Sequence, residues 1–216
     1  MNPLVIVFAL VGGVWGVIAD RIATRWPEHD EPELPGGRTP GWRTVVNGAI
    51  GAVALGALPT RFDGTGELAL FAAWFLVLTL LLATDLDQRL LPSVITLPLI
   101  VAALIVAVSG AATDLHDAFG LAGAIGIAIV IPLGMYLISI PFGVDAVGQG
   151  DLILLVSVGL FEGLVRTITG IVLGTFIGGV VIAVLLVTKR VTRKTFLPYG
   201  PFLIIGAFWG VLVRFG

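Results

Sequence analysis

Three aspartates stand where an apolar chain has least use for charge. Asp85 and Asp87 close a hydrophobic run in "ATDLDQRLLPS", residues 83–93, and Asp151 opens another in "AVGQGDLIL", residues 146–154. Two carboxylates brought together can share one proton. The ionised member then acts as general base on a water, while the protonated member polarises a carbonyl, because like charges held close do not both ionise. Gly148 and Gly150, just ahead of Asp151, suit a tight turn and a close backbone approach. Plainer roles exist for each. Asp85 and Asp87 could be solvated residues of a short loop, and Asp151 could be the N-cap of the helix it precedes. "DLD" also reads as a metal-holding D-x-D, but no glycine-rich phosphate cradle or basic pocket accompanies it.

These side chains depend on the elements around them. The 216 residues are 57% hydrophobic and only 12% charged, and the mean hydropathy is +1.08. Soluble domains carry about a quarter charged residues, so the chain is read as an integral membrane protein whose first partner is the lipid bilayer. An aspartate within such a span costs on the order of 3 kcal/mol on insertion scales and usually marks function. Without cysteine, disulfides, thiolate catalysis and cysteine-ligated zinc are excluded. His29 and His116 fall in separate polar segments and read as solvated side chains. Nothing suggests nucleic acid, a cofactor or a metal.

Apolar runs near the spanning length of about 20 residues lie at about 4–20, 43–60, 67–84, 93–109, 117–140, 166–187 and 197–214. A shorter run occupies about 151–163. Backbone groups in lipid must be satisfied within the segment, so the expected fold is all-α, a polytopic membrane protein of about eight transmembrane helices. The amino terminus lacks a basic region and a cleavage site before its first charge, and reads as a retained span. With both termini outside, the inside loops collect Arg21, Arg25, Arg38, Arg43, Arg89, Lys189, Arg190, Arg193 and Lys194. The outside keeps Arg61, Arg166 and Arg214. Nine against three satisfies the positive-inside rule. Loops 3–4 and 5–6 then place Asp85 and Asp151 on the cytoplasmic face at similar depth. Asp20 and Arg21, at the same end of the first helix, read as an interface anchor, and Trp26, Trp42 and Trp209 as aromatic-belt residues. Small-xxx-small pairs at Gly12/Gly16, Gly170/Gly174/Gly178 and Gly206/Gly210 predict close helix contacts, although 29 glycines also produce such spacings by chance.

At the aspartates the chain resembles the type IV prepilin peptidase family, the GxGD aspartic proteases of the bacterial inner membrane. Asp85 to Pro92 matches the family's Asp seven residues before a Pro, and Gly148, Gly150 and Asp151 match its GxGD. "PYGPFLIIGAFWG" resembles the final helix, and the first helix with "ADRIATRWP" the opening. The resemblance implies a multi-pass enzyme in one membrane-embedded peptidase domain, residues 1–216, with Asp85 and Asp151 catalytic at the cytoplasmic side. Asp87, Gly148, Gly150 and Pro92 would bind substrate or tune pKa. The substrates would be prepilin-like precursors with basic leaders, cut without metal or cofactor. Ser93 stands where the family usually has Asp, and Ile153 where it commonly has Lys. Bifunctional members carry paired CxxC zinc ligands after the first helix, linked to N-methylation. Here residues 25–42 form a short, Pro-rich cytoplasmic loop without cysteine, which implies a peptidase without the methyltransferase. The acidic run "EHDEPE" in that loop reads as a solvated linker. The rival readings are a degenerate member retained as an assembly factor, which would tolerate loss of either catalytic aspartate, and a small transporter. A transporter would favour broken helices in matching halves, a symmetry this chain lacks.

Overall fold

The computed structural model describes residues 2–26, 39–112, 115, 119–142, 147–190 and 199–214. Most of the loop at 25–42, with its acidic run and His29, lies outside the described residues, as do His116, Arg38, Arg193 and Lys194. Among the described residues the protein is all-α, with eight α-helices and one short 3-10 turn. It is a polytopic membrane protein. Four helices are long and apolar enough to cross a bilayer, and their outer faces expose side chains such as Leu10, Val14, Ile129, Val172 and Phe176.

The chain divides into two compact units. The first, Met1–Pro92 with Arg214–Gly216, holds α1 (Pro3–Ala23), α2 (Trp42–Arg61) and α3 (Thr65–Gln88). Pro3 starts α1 with its φ already helical, and the Asn2 side chain accepts from Leu4 N–H at 3.0 Å. α1 and α2 approach backbone to backbone. A methyl on Gly12 would overlap the Gly51 carbonyl, one on Gly16 would overlap that of Asn47, and one on Gly56 would meet Ala9 Cβ at 2.9 Å. Asn47 Nδ2 closes the contact by donating to Gly16 O at 2.8 Å. On α3, Phe71, Phe75, Leu78, Leu81 and Leu82 are buried. Its Thr79 and Thr84 hydroxyls donate back to the carbonyls of Phe75 and Leu81, so neither leaves an unmet donor in apolar surroundings.

The second unit, Ser93–Val213, holds α4 (Ser93–Ser109), α5 (Gly120–Ser139), the 3-10 turn, α6 (Gln149–Glu162), α7 (Leu164–Val187) and α8 (Gly200–Leu212). At its centre is α6, in contact with α4, α5, α7 and α8. At 14 residues it rises about 21 Å, and being surrounded by protein it does not have to match the bilayer thickness. Gly163, at φ 80°, ψ −176°, ends α6 and begins α7, a backbone region open only to glycine. The glycine stripes find partners here too. Gly170 faces Gly206, Gly174 faces the Phe202 main chain, Gly178 faces the Phe202 ring, and Gly210 faces the Glu162 carboxylate.

One outside-loop cation is placed differently from the sequence expectation. Arg166 lies within α7 and is buried. Its guanidinium donates to Leu115 O at 3.0 Å, Gly210 O at 2.9 Å and Val213 O at 2.7 Å. The last two carbonyls belong to the end of α8, where helix geometry supplies no donor. Arg166→Leu should therefore destabilise the detergent-solubilised protein by at least about 3 kcal/mol, read as a fall in its thermal unfolding midpoint.

Candidate active site

The end of the first unit where α1 and α3 finish and α2 begins is polar. Both motif carboxylates fall within the last turn of α3, and Asp85 is 4% exposed. The sequence placed them in a loop after residue 84; the helix instead runs to Gln88 before Arg89 takes the left-handed conformation, φ 56°. Arg89 N–H caps Asp85 O at 2.9 Å, and Pro92 follows where the helix cannot continue. Continuation is possible because protein groups replace water around the polar turn. Arg43 Nη1 donates to Asp87 Oδ1 at 2.5 Å and to Asp87 O at 3.4 Å. Gln88 Nε2 donates to Ala23 O, at the end of α1, at 2.8 Å.

A second cluster joins α1 to α2 at the same end. Asp20 is 1% exposed and pairs with Arg21. It also accepts from Thr44 Oγ1 at 2.6 Å, and that hydroxyl accepts from Arg21 Nη2 at 3.0 Å and from Gly41 N–H at 3.1 Å. Asp20 is thus a buried residue at the junction of α1 and α2. The sequence signal was an aspartate inside the run "GVIADRIA"; its partner Thr44 carried none.

In the second unit, Asp151 occupies the third position of α6 and is half-buried. The N-cap is Gly148, not Asp151. Asp151 N–H bonds Gly148 O at 3.0 Å, and its carboxylate sits at the positive end of the helix dipole. The expected tight turn at the glycines meets ordinary backbone. Gly148 has φ −60°, ψ 133°, which any residue can adopt, and Gly150 belongs to the first helical turn. What Gly148 leaves is room, since a methyl there would stand 3.3 Å from Asp151 Oδ2. Gly148→Ala should keep α6 folded while displacing that carboxylate by tenths of an ångström. If Asp151 acts on substrate, turnover falls about tenfold with no loss of thermal stability.

Asp85 and Asp87 share one helical turn of the first unit, with Pro92 buried beyond it, while Gly148, Gly150 and Asp151 share the start of α6 in the second. Sequence reasoning read Arg43 only as an inside-loop cation and did not single out Thr44, Gln88 or the fully buried Glu162. The class so defined is a polytopic helical membrane protein that keeps one motif carboxylate in the buried last turn of a helix and another half-buried at a helix start.

Comparison with known proteins makes this specific. The sequence model of the Type IV leader peptidase family matches residues 70–184, more than half of the chain and a range that takes in Asp85, Asp87, Pro92, Gly148, Gly150 and Asp151. The chain belongs to this family. It is 30% identical over 163 residues to a prepilin leader peptidase/N-methyltransferase of Burkholderia pseudomallei (strain K96243), covering 75% of this chain and 52% of that protein. A protein of the same description from Stutzerimonas stutzeri is 30% identical over 128 residues, covering 59% of this chain and 44% of the relative. The chain spans about half the length of the curated relatives it matches. No solved structure matches it significantly.

Proposed function

We propose that the protein is an intramembrane aspartic endopeptidase that removes the basic leader from type IV prepilin-like precursors. The observation that supports this most is that the family match takes in both candidate aspartates, one in a buried helical turn and one at a helix start. In this reading Asp85 and Asp151 share a proton. The ionised carboxylate takes a proton from water as its oxygen attacks the scissile carbonyl, and the protonated one gives its proton to the carbonyl oxygen. A proton then passes to the leaving nitrogen as the C–N bond breaks. The two units act as one peptidase domain, with the aspartates at the cytoplasmic face of the bacterial inner membrane and both termini outside. The reaction uses no metal, and residues 25–42, without cysteine, supply no zinc-bearing methyltransferase loop.

Co-expression with a prepilin-like precursor, followed by intact-mass measurement, tests this reading. Wild type should release a leader and leave an unmethylated new amino terminus. Uncut precursor across a panel of such substrates would favour the degenerate, assembly-factor reading.

A further inference from the structure

We infer that Arg43 is a positioning residue for Asp85, acting through Asp87. This rests on the peptidase reading above and adds a residue to it. Four carbonyls at a helix C-terminus lack intrahelical donors. At the end of α3, Asp85 O is met by Arg89 N–H, and Asp87 O is met from outside the helix by Arg43. The same guanidinium nitrogen holds Asp87 Oδ1, so its two hydrogens grip one residue by main chain and side chain together. The pair is well shielded on its acidic side, the Asp87 side chain being 7% exposed and that of Arg43 31%. A cation is also favoured at this negative end of the helix dipole.

Arg43 is one of three links closing a triangle of helix ends. It ties α2 to α3, Gln88 ties α3 to α1 through Ala23 O, and the Asp20–Thr44–Arg21 cluster ties α1 to α2. Asp85 lies in the α3 turn gripped from both flanks, two residues before Asp87 and three before Gln88. A carboxylate that must meet a water and a carbonyl within fractions of an ångström gains from such a frame, since a misplacement of about 1 Å costs about 10²-fold in rate. Asp87 then serves as the anchor that Arg43 holds, rather than as a group offered to substrate.

The test compares wild type, Arg43→Met, Arg43→Lys and Asn47→Ala in detergent and reconstituted with a prepilin-like precursor. Asn47→Ala removes an α1–α2 hydrogen bond, to Gly16 O, and leaves the Arg43–Asp87 and Gln88–Ala23 links in place. Arg43→Met should raise amide hydrogen exchange across residues 85–90 at least tenfold, and Asn47→Ala should not. With the precursor, Arg43→Met should lower kcat about tenfold with KM within twofold, Arg43→Lys should restore kcat to within about threefold, and Asn47→Ala should turn over like wild type. Unchanged exchange in Arg43→Met overturns the inference whether or not the protein is a peptidase. A rise in KM alone, or an equal loss of kcat in Asn47→Ala, also overturns it, by making Arg43 a substrate contact or a generic structural residue. Asp85→Asn assayed in parallel separates the two readings: if it still cuts, the dyad is wrong, whereas if it fails to cut while Arg43→Met keeps the wild-type kcat, Arg43 has no positioning role.

Discussion

Asp85→Asn and Asp151→Asn are each expected to leave a co-expressed precursor uncut, a loss of at least about 10³-fold in turnover. Asparagine keeps the size and planarity of the side chain but can neither accept a proton from water nor deliver one to a carbonyl. The losses should not multiply, because the proposed pair works as one proton-sharing unit. The double variant should be no slower than the worse single. The substitutions should leave the fold intact: α3 still ends at the Arg89 cap on the Asp85 main-chain carbonyl, and α6 still begins at Gly148. Asp87→Asn differs, since it weakens the grip of Arg43 without removing a proposed catalytic group. It should cut about tenfold more slowly. Intact-mass measurement of the precursor after a fixed induction time reads all three, and leader removal persisting in either of the first two would refute the dyad.

A large stability effect, comparable to that of Arg166→Leu, is expected from Gly206→Leu. Gly170 and Gly206 face each other across α7 and α8, and a methyl added at Gly170 would already lie 2.6 Å from Gly206 O. The obstacle is backbone, which cannot rotate away as a side chain can, so the helices must separate along their whole contact. A loss of about 3 kcal/mol or more is expected. Gly179→Leu is the matched control on α7, because nothing lies within 4 Å of the methyl it would add. That variant should melt within about 0.5 kcal/mol of wild type. Tryptophan-fluorescence melts in detergent measure both, and equal melting points would refute close packing at Gly206.

Helix existence was legible in the sequence because lipid forces long apolar runs to satisfy their own backbone. The run at 93–109 coincides with α4, and the others fall within a few residues of the observed helices. Boundaries drifted where charge was taken as a sign of water. The end of α3 was set at 84, since Asp85 and Asp87 look solvated in isolation, yet Arg43, 44 residues earlier, replaces the water. Arg166 was assigned to a loop for the same reason, although carbonyls of the α8 end take its charge. Glycine spacing marked which faces approach closely, but not that Gly12 meets Gly51 or that Gly170 meets Gly206. Those pairings are set by packing between helices, to which no local pattern refers. The candidate aspartates were legible from their motifs, whereas the residues that hold them were not.

Gly163 has a consequence for how the chain can change length. Because one residue serves as the end of α6 and the start of α7, there is no connecting segment to absorb an insertion or deletion. Removing a single residue at this junction would rotate all of α7 by about 100° relative to α6. The stripe of Gly170, Gly174 and Gly178 would swing away from α8, and bulkier neighbours would take its place. Point substitutions can accumulate on either side of the junction, but its spacing has to be inherited unchanged.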